Sequence, residues 1–258
     1  MAEIENLAHG PFTPDRISIL WKTEIKRLAR HTQDYIDQRW AVYTAEAKAK
    51  GQDLFNGPIT QFTGFVSSAG SLALQLGITD YKTFLVTSVR DKPWFAKFAP
   101  HAMTTALGNS VLLTFQDQAI LGFRTASSAN YPEKAHLFGG VLDRLDERPE
   151  GTTTAGVLGH LRKELNEELK LEERDLVGPP VALALVKDNF LGQPELIWQQ
   201  EIAIPPEHLD MQLNPAEHSA IVVVNLGQQI EITQGYTPVA VNAIRRWMNP
   251  GGGGGKKR

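Results

Sequence analysis

Hydrophobic positions near the start of the chain recur at three- and four-residue intervals, the spacing of one helix face. The recurring residues are Ile17, Leu20, Trp21, Ile25, Leu28, Tyr35, Ile36 and Trp40. We therefore predict one long or one broken helix from Asp15 to about Lys50. Two β-rich runs follow, 59–66 and 71–76, and the Ser-Ser-Ala-Gly turn sequence between them predicts a hairpin. With further helical turns before Leu107, this part of the chain predicts helix, hairpin, helix.

The pattern becomes mainly β-rich after Leu107. The predicted strands are 110–115, 119–124, 181–186, 195–202 and 220–225, and the predicted helices are 153–171 and 238–248. Strands that alternate with helices in this order predict an α/β fold with a mixed sheet, and no internal repeat interrupts it.

The length of 258 residues allows one large α/β domain or a medium domain with an extension. We divide the chain into an N-terminal extension, 1–107, that packs on a main domain, 108–249. A flexible Gly-rich basic tail, 250–258, follows, because five consecutive glycines maximise backbone entropy.

Composition excludes several classes of site. The sequence has no cysteine, which excludes disulfides, thiolate zinc sites and cysteine nucleophiles. A net charge of -3 gives no global attraction to nucleic acid or to an anionic membrane. The apolar runs are too short for a membrane-spanning helix, and the N-terminus lacks the features of a signal peptide. We expect a cytoplasmic protein, a monomer or a homodimer, without nucleic-acid or membrane partners.

Three glutamates of one predicted helix carry the most informative chemistry. Glu164, Glu167 and Glu168 lie at i, i+3 and i+4, beside an apolar row that includes Leu161 and Leu165. A carboxylate at the edge of a packed face needs a partner, and a hard divalent cation such as Mg²⁺ satisfies several at once. The alternative is an amphipathic surface helix with solvated glutamates.

Together with the preceding Gly139-Gly140, the segment 163–171 resembles the Nudix box of the Nudix hydrolases. Lys163 stands where that family has arginine, and Glu164, Glu167 and Glu168 match the family's glutamates. Lys170 replaces the family's glycine, and the spacing from Gly140 is longer than in the family. The remaining family glutamate has no unambiguous counterpart among Glu147 and Glu150.

Within the family, the chain resembles the branch that hydrolyses UDP-glucose and UDP-galactose. The shared segments outside the box are 19–21, 54–58, 74–85 and 194–195. The resemblance implies a Nudix α/β/α sandwich and Mg²⁺-dependent hydrolysis of a nucleoside diphosphate sugar to UMP and a sugar 1-phosphate, with Mn²⁺ as an alternative ion. It also implies metal ligation by Glu164, Glu167, Glu168 and a backbone carbonyl of Gly139 or Gly140, with Lys163 orienting a glutamate.

Further candidates come from their positions in the chain. Glu217 lies in a loop from which some family members bring an additional carboxylate, and it is a candidate general base. Arg124 and Lys187 follow or end predicted strands, where a basic group can meet phosphates, and Tyr81 can stack on uracil or the sugar. Each of these residues also fits an ordinary surface or core position.

Two alternatives to nucleotide-sugar hydrolysis follow from the departures from the box. One is a catalytically impaired Nudix-fold protein with a nucleotide-binding or regulatory role, as Lys163 and Lys170 suggest. The other is a Nudix hydrolase of ADP-ribose or another nucleoside diphosphate derivative, because the box contacts only the pyrophosphate and the metal.

Overall fold

The computed structural model describes residues 4–22, 27–51, 53–128, 130–142, 154–227 and 235–249. The strands are β1 Ile4–Phe12, β2 Ile17–Trp21, β3 Pro58–Ser68, β4 Ser71–Asp80, β5 Gly108–Phe115, β6 Gln118–Arg124, β7 Ala135–His136, β8 Phe138–Val141, β9 Leu176–Asp188, β10 Gln193–Ile202 and β11 His218–Asn225. The helices are α1 Arg30–Ala49, α2 Tyr81–Phe84, α3 Lys92–Phe98, α4 Thr154–Leu169, α5 Pro206–Leu209 and α6 Pro238–Met248. A π-helical segment, Leu85–Arg90, continues α2.

The strands form two sheets. The larger sheet has eight strands in the order β1-β9-β10-β5-β6-β11, with β7 paired to β6 and β8 paired to β5. Its β10–β5 pair is parallel and its other pairs are antiparallel. The smaller sheet has the order β2-β4-β3. The sheets and helices confirm the predicted fold class, an α/β fold with a mixed sheet.

Successive side chains of β5 point to opposite faces of the larger sheet and contribute to two separate hydrophobic cores. Val111 and Leu113 pack with α4 and with β4 of the smaller sheet, whereas Leu112 packs with α6 on the opposite face. As a central strand covered on both faces, β5 is buried from Gly108 to Thr114. The larger sheet therefore lies between α4 and α6.

Helix α4 forms where the sequence predicts it. Its apolar row Leu161, Leu165 and Leu169 is buried in the core beside the larger sheet. Glu164 and Glu168 lie three residues after Leu161 and Leu165, at the edge of the same helix face, so burial of this row carries them towards the sheet.

The predicted helix from Asp15 to Lys50 is wrong in its first part. Residues Ile17–Trp21 form β2, which pairs in parallel with β4, and α1 begins at Arg30. Ile17 and Ile19 pack towards the core while Ser18 and Leu20 are exposed, which is the two-residue period of a strand. Over so short a segment the apolar residues fit both the helical and the strand period, and pairing with β4 makes the segment a strand.

Strand β1 has no counterpart in the sequence-based prediction. It pairs antiparallel with β9, from Ile4 opposite Asp188 to Phe12 opposite Ala182, so this part of the predicted extension forms an edge of the larger sheet. In the described part of the chain, no helix is long and apolar enough to cross a membrane. The predicted tail 250–258, together with Glu147 and Glu150, lies outside the described residues.

Candidate active site

A cavity of about 360 Å³ opens at one end of the strands of the larger sheet. Its lining residues come from the starts of β5, β10 and β11 and from the ends of β6 and β9, and helix α4 closes one side. The cavity is lined by the predicted site residues Arg124, Gly139, Gly140, Glu164, Glu168 and Glu217. Residues that are far apart in sequence therefore meet at one place.

Gly139 and Glu168 join strand β8 to helix α4. The Gly139 N–H donates to both oxygens of the Glu168 carboxylate, at 3.3 and 3.2 Å. Gly139 has φ +116°, and a Cβ there would lie 2.4 Å from the backbone oxygen of Asn109. Glycine is therefore required at this position for the close approach of β8 to β5.

Gly140 leaves room for the second glutamate. A Cβ at Gly140 would lie 3.2 Å from Glu164 Oε2, which is tighter than ordinary contact. On its other side, Glu164 Oε1 lies 3.3 Å from Nε2 of His160, one turn earlier on α4. Burial, together with the neighbouring Glu168 and Glu167, raises the pKa of Glu164 to about 7.

Glu168, Glu217 and His218 form a three-residue cluster. Their potential ligand atoms all lie within 4.8 Å of one another. Glu168 is 1 % exposed, and burial with the nearby Glu217 carboxylate raises its pKa well above the ordinary range. Two carboxyl groups this close together are stabilised by a shared proton or by a cation between them. The donor set fits a divalent cation, which relieves both the burial cost and the repulsion.

Arg124 brings positive charge to the same cavity. It ends β6, and burial lowers the pKa of its guanidinium while Glu168, Glu195 and Glu217 act in the opposite direction. Its Nε is buried, and none of the described residues accepts a hydrogen bond from it. A guanidinium presents several donors in a planar fork that matches phosphate oxygens. Arg124 is therefore placed to bind an anionic group that enters the cavity.

A second polar group, which the sequence analysis missed, lies around Glu195 on β10. Ser110 donates its hydroxyl to Glu195 Oε1, and His136 Nε2 lies 3.9 Å from the same oxygen. Burial raises the pKa of Glu195 to about 7 and lowers the pKa of His136 to about 3. Between about pH 3 and pH 7 both groups are uncharged, so His136 and Glu195 do not form an ion pair there. The His136 Nδ1 atom lies 2.7 Å from the Thr237 hydroxyl at the start of α6.

Four predicted residues lie outside the cavity lining. Glu167 is exposed, with its Oε1 4.0 Å from Lys163 Nζ, so both lie on the solvent side of α4. Lys187 Nζ pairs with Glu5 at 3.3 Å and lines an adjacent cavity. Tyr81 packs in a small cluster with Ile59, Phe84 and Ala106.

Most of the missed residues carry no local sequence signal. Glu195 and Ser110 lie 85 positions apart and meet because β5 and β10 are parallel neighbours. His218 follows Glu217 directly, but its burial depends on Gly122, where a Cβ would lie 2.3 Å from the His218 Nδ1 atom. For His218, the available sequence signal is its position directly after Glu217 and just before the predicted strand 220–225.

No protein-family model and no curated protein matches the chain. Among solved structures, the protein DR0079 from Deinococcus radiodurans is 19 % identical with a TM-score of 0.41, and the match covers 55 % of this chain and 82 % of that chain. A MutT Nudix hydrolase from Burkholderia pseudomallei is 18 % identical with a TM-score of 0.36, covering 55 % of this chain and 96 % of that chain. A Nudix hydrolase from Nitrosomonas europaea is 11 % identical with a TM-score of 0.36, covering 55 % and 88 %. All three TM-scores lie below 0.5, so the function of this chain must be argued from the cavity and from helix α4.

Proposed function

We propose that the protein is a metal-dependent pyrophosphohydrolase of the Nudix type that acts on a nucleoside diphosphate derivative. One observation carries the proposal: Glu164 and Glu168 of α4 face Gly139-Gly140 of β8 in the cavity that also holds Arg124. A buried and a half-buried carboxylate opposite a half-buried guanidinium suit a ligand that combines a cation with an anionic phosphate chain. A solvated surface helix, the alternative for this sequence, does not bury Glu168.

The residues divide into three roles. Glu164 and Glu168 hold the divalent cation, Mg²⁺ in the first instance, and Arg124 binds a phosphate oxygen. When bound, such an ion neutralises charge on the pyrophosphate and makes a water molecule more acidic. Glu217, at the mouth of the cavity beside Glu168, is the candidate to accept a proton from the attacking water.

In the reaction proposed, the water oxygen bonds to one phosphorus as the bond between that phosphorus and the bridging oxygen breaks. The bridging oxygen leaves with the other phosphate, and the proton lost by the water passes to a base. Arg124 is placed to stabilise the charge that develops on the phosphate oxygens, because a donor already oriented in a buried site need not reorganise during the reaction.

For the substrate class, we propose a nucleotide sugar, UDP-glucose or UDP-galactose. Glu195, Ser110 and His136 place hydrogen-bonding groups in the cavity beside the phosphate-binding residues, and such groups suit the hydroxyls of a sugar. The adjacent cavity that Lys187 lines shares Leu191 and Gln193 with the first, so a longer ligand has room to continue. The resemblance to the UDP-sugar branch supports the same choice.

The test is an incubation of the protein with UDP-glucose, UDP-galactose, ADP-ribose and a dinucleoside polyphosphate, each with Mg²⁺ and with EDTA. We expect UMP and a sugar 1-phosphate from the UDP-sugars only when Mg²⁺ is present. Turnover of ADP-ribose alone would contradict the proposed substrate class but would still support pyrophosphate hydrolysis. Nucleotide binding in a calorimetric titration without any turnover would instead support a binding protein.

A further inference from the structure

The imidazole ring of His218 faces the carboxylate of Glu168 in the cavity. His218 begins β11, and its Nε2 atom lies 3.4 Å from Glu168 Oε2. Its Nδ1 side faces strand β6, where only the missing side chain of Gly122 makes room for the ring. The edge of the Phe138 ring packs against it at 5.2 Å between centroids. The ring is therefore held in one orientation with Nε2 towards Glu168.

The polar atoms of this ring are buried without hydrogen-bond partners. His218 is 3 % exposed, and neither Nδ1 nor Nε2 has a hydrogen-bond partner in the described parts of the chain. A buried polar atom without a partner loses its hydrogen bonds to water and destabilises the fold, so native proteins retain few of them. Because Nε2 faces the Glu168 carboxylate, a cation held by Glu168 would give this nitrogen a partner.

The chain around Glu217 is fixed to both flanking elements. The Asn214 N–H donates to the backbone oxygen of Glu168 at 2.7 Å, at the end of α4. The Thr125 N–H donates to the backbone oxygen of Glu217 at 3.1 Å, next to β6. Asn214 Nδ2 also donates to Glu217 Oε1 at 3.1 Å. These bonds hold Glu217 and His218 beside Glu168 before any ligand arrives.

We infer that His218 Nε2 is a nitrogen ligand of the divalent ion that Glu168 binds, and that the site prefers a first-row transition-metal ion to Mg²⁺. The spacing fits, because two ligands at right angles and ~2.1 Å from one ion lie ~3 Å apart. Mg²⁺ favours oxygen ligands, whereas imidazole suits transition metals. The inference rests on the metal site of the proposed function and refines it.

The test uses Mn²⁺ as the probe and the full-length protein. Electron spin echo spectroscopy of bound Mn²⁺ detects coupling to a directly bound imidazole nitrogen. We expect this coupling in the wild-type protein and in His208→Gln, a control at an exposed histidine of α5. We expect His218→Gln to lose the coupling and to bind Mn²⁺ at least ~10-fold more weakly, with a smaller change for Mg²⁺.

The wild-type spectrum decides the question even if His218→Gln fails to fold. Bound Mn²⁺ without nitrogen coupling in the wild type would overturn the inference, as would an unchanged ratio of Mn²⁺ to Mg²⁺ affinity in a folded His218→Gln variant. Failure of the proposed function is a separate result. Nitrogen coupling without nucleotide hydrolysis would support His218 as a metal ligand and reject the proposed activity. Hydrolysis without nitrogen coupling would support the activity and reject His218 as a ligand.

Discussion

The Gly139 N–H donates to the carboxylate of Glu168, 3.2 Å from Oε2, and this contact joins strand β8 to helix α4 at the candidate metal site. It links the two halves of the sequence pattern, the Gly-Gly pair and the glutamate helix. A hydrogen bond to the ionised form lowers the pKa of a carboxyl group, whereas burial and Glu217 raise that of Glu168 more strongly. A cation bound beside Glu168 would therefore favour the ionised form of this carboxyl group.

Replacement of Gly139 by alanine is predicted to destabilise the fold. The new Cβ would lie 2.4 Å from Asn109 O, and φ +116° is unfavourable for any side chain. We expect Gly139→Ala to lower the free energy of unfolding by about 2–4 kcal/mol in urea denaturation. The control is Gly159→Ala in α4, where a Cβ meets nothing within 4 Å and a gain of up to about 1 kcal/mol is expected. Equal effects of the two variants would contradict this account.

Substitution of the three helix glutamates is predicted to give unequal losses of activity. Glu164→Gln and Glu168→Gln each remove a carboxylate from the cavity, and we expect kcat/KM to fall by ~100-fold or more. Glu167 is exposed, with its side chain 55 % accessible, so Glu167→Gln is expected to cost much less. Glu173→Gln, at an exposed residue that pairs with Arg162, is the control for loss of charge. A loss for Glu167→Gln equal to that for Glu164→Gln would show that the ligand set extends beyond the cavity lining.

The sequence predicts the parts of the structure that have long, single-period patterns. Helix α4 follows its leucine row, and the two hairpins follow turn residues between β-rich runs. The segment of strand β2 fits both periods, because Ile17, Leu20 and Trp21 have helical spacing while Ile17, Ile19 and Trp21 have strand spacing. Only the pairing with β4 distinguishes the two structures. The contact between Ser110 and Glu195 was missed because it depends on the parallel pairing of β5 with β10. Local patterns cannot specify such long-range pairings.

Arg124 is predicted to act on substrate binding through the shape of its guanidinium. Arg124→Lys keeps the charge but loses the planar fork, and we expect kcat/KM towards UDP-glucose to fall by ~10-fold or more. Arg174→Lys, at an exposed arginine beside Glu172, is the matched control and is expected to keep wild-type kinetics. Steady-state kinetics of both variants check this, and an unchanged kcat/KM for Arg124→Lys would remove Arg124 from the phosphate site.

Glu195 is predicted to make stability depend on pH. Burial raises its pKa from 4.5 to about 7, so the folded protein binds more protons than the unfolded chain between these values. Its contribution to stability is therefore complete below pH 4.5 and is lost as the pH rises towards 7, by at most about 3 kcal/mol. Glutamine at this position does not ionise, so Glu195→Gln should gain stability relative to wild type across this window.

Denaturant unfolding at several pH values in EDTA measures this difference. Glu201→Gln, at an exposed glutamate of the same strand, is the control and should follow the wild-type curve. His136, whose pKa burial lowers to about 3, contributes in the opposite direction but equally in all three proteins. A constant difference between Glu195→Gln and wild type across the window would show that Glu195 stays ionised in the fold.

The most direct test of the central claim is ³¹P NMR of UDP-glucose incubated with the protein and Mg²⁺ or Mn²⁺. For the wild type, we predict that the two pyrophosphate resonances disappear as those of UMP and glucose 1-phosphate grow, and that EDTA prevents this. For Glu168→Gln, folded as judged by circular dichroism, we predict an unchanged pyrophosphate spectrum. Equal turnover by wild type and Glu168→Gln, or no metal-dependent turnover of any nucleoside diphosphate derivative by the wild type, would contradict the assignment of this cavity as a pyrophosphohydrolase site.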